Sequence, residues 1–106
     1  MGSTTISNLG MEEVIGDKRD EILRLAKLHG ARNVRIFGSV ARGEARPDSD
    51  LDLLVIFKAD YTLWDKIGLK QDVEDLIGRK VDVVQENFLR EELKQQILDE
   101  AISLKP

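Results

Sequence analysis

The chain has no cysteine, one histidine and two prolines in 106 residues. Without cysteine there can be neither a disulfide framework nor a thiolate metal centre. The lone histidine, His29, cannot build a histidine-rich zinc site by itself. Long apolar stretches are missing too: the longest, residues 53–57, falls far short of the ~20 residues that cross a bilayer. No basic start followed by an apolar core marks a secretory signal, so no membrane and a cytoplasmic location are expected. Excess positive charge is also lacking. A formal net charge of −4 argues against a broad electrostatic grip on nucleic acid, but is compatible with a small nucleotide held through metal ions. The length suits one domain with one core, and 42% hydrophobic with 34% charged residues suits a soluble globular fold.

Residues 1–16 are small, polar and glycine-spaced and read as a flexible lead-in; residues 17–106 read as a single domain. The spacing of Ile22, Leu25 and Ala26 predicts a helix over 17–29, stopped by Gly30. A short strand is expected over 33–37 and one helical turn over 39–43, followed by the turn signal Pro47-Asp48-Ser49. Residues 51–58 carry an apolar run that predicts a strand buried on both faces. Leu69, Val73, Leu76 and Ile77 predict a helix over 64–77 with Gly78 as its stop. Residues 80–85 alternate like a strand. Leu89, Leu93, Ile97, Ala101 and Leu104 share a stripe that predicts a closing helix over 88–104, with that stripe in the core. The expected fold class is α/β (α+β): a small mixed sheet of about three strands flanked by helices.

The chemistry concentrates between the first two strands. Asp50 and Asp52 lie two apart at a strand start, so their carboxylates share a face. Two such like charges repel unless a cation sits between them. Magnesium is the natural one, being a hard ion that takes oxygen ligands and leaves positions for water and phosphate. Asp82 interrupts the apolar run from Val81 to Val84, where a charge needs a partner or a metal. If strand 80–85 lies beside strand 51–58, Asp82 faces the same pocket. At the other end of the loop, Gly38 lets a phosphate approach the backbone closely. Ser39 opens a helical turn whose amides suit an anion. Arg42, three residues on, can chelate phosphate oxygens. Phosphates at one end and metal-bound carboxylates at the other would suit two-metal nucleotidyl transfer.

Gly38-Ser39, ten residues, Asp50-Leu51-Asp52 and a later Asp82 resemble the signature of the DNA polymerase beta nucleotidyltransferase superfamily. The stretch GSVARGEARPDSDLDLLV is similar to its minimal nucleotidyltransferases. The resemblance spans residues 17–104 and implies the nucleotidyltransferase fold. It implies two Mg2+ ions on Asp50 and Asp52, and Asp82 on the catalytic ion, helping to deprotonate the acceptor. It places the β- and γ-phosphates of ATP on Ser39 and Arg42 beside Gly38. It also implies a partner, a HEPN-domain RNase toxin, neutralised by transfer of AMP from ATP to a toxin tyrosine. The alternative is a nucleotide-binding antitoxin that blocks its toxin by contact. Transfer to a small molecule or an RNA end would need an acceptor pocket.

Plainer readings stand beside these. Asp50 and Asp52 could be turn and strand-start residues, Asp82 an exposed edge residue, and Arg42 a surface charge. Arg46 reads as a solvated loop residue and His29 as a helix-end residue. Tyr61 and Trp64 are expected to pack the connection and the third helix against the sheet, although Trp64 in a partner interface is the other option.

Overall fold

A computed structural model describes residues 8–105 of the chain. Leu9 forms an antiparallel bridge with Ala45, and helix α1 (Met11–Val14) follows. A single tight turn, Gly16–Lys18, leads into α2 (Arg19–Leu28). Then come β1 (Ala31–Phe37), β2 (Leu51–Phe57), α3 (Leu63–Ile77) and β3 (Val81–Gln85). A short turn, Glu86–Phe88, precedes α4 (Glu91–Glu100), and the two-residue strand β4 (Ile102–Ser103) ends the order. The four strands make one mixed sheet in the order β3-β2-β1-β4. β1 pairs antiparallel with both β2 and β4, while β2 and β3 run parallel. That parallel pairing requires a crossover, which α3 supplies.

β2 is central, and its sequence says why. Leu51, Leu53, Val55 and Phe57 alternate onto the face that holds the main core, and Leu54 on the opposite face is buried as well. Against the core face pack Ile22 and Ala26 of α2 and Leu69 and Val73 of α3. Each fully buried aliphatic side chain is worth about 1.5–3 kcal/mol. Gln85, the buried polar residue of this layer, is satisfied by accepting the Phe57 N–H at 3.0 Å. β1 is irregular. Asn33 has φ +55°, and the register with β2 shifts between Arg32 and Arg35. The extra residue lets Ala31 and Val34, three apart, both point inward.

α3 begins on Thr62, whose N–H is accepted by Asp65 Oδ2 at 2.8 Å, and ends on Gly78 at φ +73°. His29, at the end of α2, meets Asp72 of α3 at 2.7 Å through Nε2. It is a helix-end residue as expected, and it also ties α2 to α3. A Cβ on Gly68 would lie 2.6 Å from the His29 ring, so glycine lets the two helices approach there.

Several expectations are corrected. The lead-in reading fails for residues 9–15: Val14 and Ile15 are buried, and the Leu9–Ala45 bridge closes the loop after β1. The part of that reading on residues 1–7 lies outside the described residues. The small mixed sheet flanked by helices is as expected, with four strands among the described residues where about three were expected. The last helix ends at Glu100, because Ala101 turns extended (ψ 142°) and Ile102–Ser103 covers the edge of β1. Its apolar stripe is not core: α4 buries no side chain, Leu93 is exposed, and only Leu104, beyond the helix, is fully buried. Trp64 does not pack against the sheet but is 77% exposed, whereas Tyr61 stacks on Phe57 with ring centroids 4.6 Å apart. Among the described residues no helix is long and apolar enough to cross a membrane.

Candidate active site

The loop between β1 and β2 starts at Gly38, whose φ is +78°. A Cβ there would stand 2.2 Å from Asp52 Oδ2. Glycine is therefore required twice, for its left-handed conformation and for the approach of the Asp52 carboxylate. The Gly-Ser bend thus adjoins Asp52. The backbone then winds once: the Arg42 N–H donates to Gly38 O at 3.1 Å, and the Glu44 N–H to Ser39 O at 2.8 Å. This is the helical turn expected over 39–43. Ser39 is half-buried and Arg42 exposed on it.

The far end of the loop is tied down by its own polar residues. Ser49 Oγ accepts the Arg46 N–H at 2.8 Å, and Arg79 donates to Ser49 O at 2.8 Å and to Arg46 O at 3.1 Å. Leu51 N–H donates to Lys80 O at 2.9 Å. Asp50 is thereby held exposed at the mouth of β2. At the start of β3, Glu74 Oε2 accepts the Val81 N–H at 2.9 Å. Glu74 is kept more acidic than usual by its bond from Lys70 and then by that backbone N–H.

The β2–β3 register brings the acids together. Asp52 pairs directly with Asp82. Neighbouring strands lie about 4.8 Å apart and paired residues project to one face, so the two side chains emerge side by side. The electrostatics record this proximity. The Asp52 carboxyl is pushed up from 3.8 to about 6, first by burial, then by the negative charges of Asp82 and Asp50; Arg42 pulls the other way and Glu100 adds to the rise. Asp82 is exposed, which leaves it open to a ligand from solvent.

Among the described residues no three acidic, histidine or cysteine side chains are already gathered into a metal cage. The donor chemistry nevertheless suits a hard divalent cation. It consists of carboxylate oxygens only, with an Asp52 whose ionisation is opposed by its neighbours and would be favoured by a nearby positive ion.

One participant was invisible in the sequence. Glu100, the last residue of α4, reaches into the bend: its Oε2 accepts the Gly38 N–H at 2.8 Å and its Oε1 accepts from Arg42 Nη1 at 3.0 Å. Arg42 Nε also donates to Glu44 at 3.0 Å. Glu44 and then Glu100 hold the guanidinium above its usual proton affinity. Nothing in the spacing of residues 88–104 aims Glu100 at a loop sixty residues earlier. Only the ending of the helix at that residue puts it there.

Known proteins resemble this chain in sequence and fold. The pattern of the nucleotidyltransferase domain matches residues 19–104. The protein adenylyltransferase MntA of Thermococcus cleftensis is 34% identical over 94 residues, 89% of this chain and 95% of that protein. A solved structure of a candidate minimal nucleotidyltransferase is 49% identical, with a TM-score of 0.79 over 92% of this chain and 98% of that one. The fold also recurs in a solved complex of tri-AMPylated Shewanella oneidensis HEPN toxin with MNT antitoxin, at 19% identity and a TM-score of 0.63 over 82% and 68% of the two chains. A mixed sheet with paired aspartates beside a Gly-Ser bend, matched to that domain along most of its length, makes this chain a member of the nucleotidyltransferase domain family.

Proposed function

We propose that the protein transfers AMP from ATP to a tyrosine hydroxyl of a HEPN-type RNase toxin and acts as that toxin's antitoxin. The observation that carries the reading is the rung pairing Asp52 with Asp82 against the Gly38 bend. The name of the Thermococcus relative, and the AMPylated toxin bound to a protein of the same fold, support protein as the acceptor and AMP as the group moved.

The roles divide along the loop. Gly38, Ser39 and Arg42 would bind the donor's terminal phosphates, by a backbone N–H, a hydroxyl and a guanidinium. Asp50 and Asp52 would hold two Mg2+ ions, and Asp82 would share one of them. When bound, these ions supply positive charge against the reacting phosphate and the departing pyrophosphate. Asp82, the exposed acid, would take up the tyrosine proton as the phenolic oxygen bonds to the α-phosphorus and the bond to pyrophosphate breaks. Asp50 and Asp82 stand exposed at the surface, which suits an acceptor brought by a partner protein.

Incubation with α-labelled ATP, Mg2+ and a HEPN-type toxin from the same organism tests the reading. Label on the toxin, lost in Asp50→Ala/Asp52→Ala, is the expected result. Absence of label, or equal label from that variant, overturns it. Neutralisation that survives the double substitution would favour inhibition by contact. Leu63, Trp64 and Ile67 offer an exposed apolar surface on α3 for that.

A further inference from the structure

Two of the three donors assigned above to the nucleotide's phosphates are occupied. Each oxygen of the Glu100 carboxylate takes one of them, the Gly38 N–H at 2.8 Å and Arg42 Nη1 at 3.0 Å. A carboxylate bridging a backbone N–H and a guanidinium uses the same charge-assisted hydrogen bonds that a phosphate would use. Four acids, Asp50, Asp52, Asp82 and Glu100, bear on this end of the molecule, and Arg42 is the cation bonded at the bend. Adding a polyphosphate while Glu100 stays would place more negative charge among them.

The geometry also lets Glu100 leave. α4 buries none of its side chains. It is entered through extended residues, Leu89 (ψ 140°) and Arg90 (ψ 145°), and left through Ala101 (ψ 142°). Beyond that joint the chain is firmly held: Leu104 is fully buried, its N–H donates to Val34 O at 3.0 Å, and Arg19 donates to Leu104 O at 3.1 Å. A helix with no buried side chain between two extended joints can shift while the core and β4 keep their places.

We propose that Glu100 is a built-in occupant of the phosphate cradle, a carboxylate on a movable helix that must withdraw from Gly38 and Arg42 before the donor's phosphates enter. The proposal rests on the assignment of that cradle to the nucleotide. It makes α4 a gate, with donor affinity set by competition between an internal and an external anion.

Titration calorimetry of the full chain with inorganic tripolyphosphate in EDTA isolates the cradle from the metal acids; ATP with Mg2+ is measured alongside. Glu100→Gln, which keeps the shape and loses the charge, and Glu100→Ala are expected to bind tripolyphosphate at least about ten-fold more tightly than the parent. Saturating tripolyphosphate is expected to speed amide exchange across residues 91–100 of the parent protein, a readout that needs no variant. Equal or weaker binding by variants that melt normally, with exchange in α4 unchanged, overturns the gate and makes Glu100 a support for Arg42. In that outcome, retained binding of ATP with Mg2+ leaves the transferase reading standing. If ATP with Mg2+ binds to none of the three proteins, both fall.

Discussion

Replacing Asp52 with asparagine is expected to stabilise the metal-free protein, and to do so only above about pH 4. The carboxyl of Asp52 stands at about 6 in the folded chain against 3.8 ordinarily, because burial and the charges of Asp82 and Asp50 oppose its ionisation. The folded state therefore binds this proton more tightly than the unfolded state. Stability falls as pH rises from about 4 to about 6, and stays at the lower level above that. Each tenfold change in proton affinity is worth about 1.4 kcal/mol, so the full difference sets a ceiling of about 3 kcal/mol. The side chain is only half-buried, and solvent screening reduces this to roughly 1–1.5 kcal/mol. In a domain of this size that is about 5 °C in Tm. Calorimetric melting in EDTA between pH 4 and pH 8 reads it directly. The Tm of Asp52→Asn is expected to equal the parent's near pH 4 and to exceed it by a margin that grows to a plateau above about pH 6.5. A variant that melts lower at pH 7.5, or by the same margin at every pH, would refute the claim that Asp52 is held charged against its surroundings.

Magnesium is expected to reverse this order: added at pH 7.5 it raises the Tm of the parent by mass action, but not that of an Asp52→Asn/Asp82→Asn variant, as thermal scans with and without EDTA would show. Gly38→Ala places a Cβ 2.2 Å from the Asp52 carboxylate in a left-handed conformation; a loss of at least ~1–3 kcal/mol in urea unfolding is expected, with loss of labelled transfer. Gly68→Ala inverts the usual preference of helices. Alanine normally gains ~1 kcal/mol, but the Cβ meets the His29 ring at 2.6 Å, so destabilisation is expected, and a double-mutant cycle with His29→Ala is expected to recover the helix gain.

Where local pattern and tertiary demand agreed, the sequence was a good guide. The run Leu53–Phe57 could only be a buried strand, and the capped, glycine-terminated α3 was legible to within one residue at its start. The juxtaposition of Asp52 with Asp82, and of Gly38 with Asp52, was legible. Their spacing carries information that survives folding when strand alternation is regular, and β2 and β3 pair without a bulge. The C-terminal stretch failed for the opposite reason. Leu89 to Leu104 has a faultless helical stripe, yet the open edge of β1 offers backbone hydrogen bonds that end the helix at Glu100 and turn Ile102 and Ser103 into a strand. Periodicity reports which side chains could line up, not which edge needs covering. Met11–Val14 was missed because four residues are too few to show a period. Glu100 itself was missed because its role depends on a contact between residues 62 apart along the chain.

The rung that joins Asp52 to Asp82 has a consequence for how the protein comes into being. Twenty-nine residues, the whole of α3 among them, separate the two acids along the chain. A ribosome that has released β2 but not β3 has made a polypeptide with two of its three proposed ion-binding acids and none of the repulsion between Asp52 and Asp82. The crowding of Asp52 by Asp82 arises only when β3 docks beside β2, so the proposed catalytic centre is assembled at the step that closes this parallel pair.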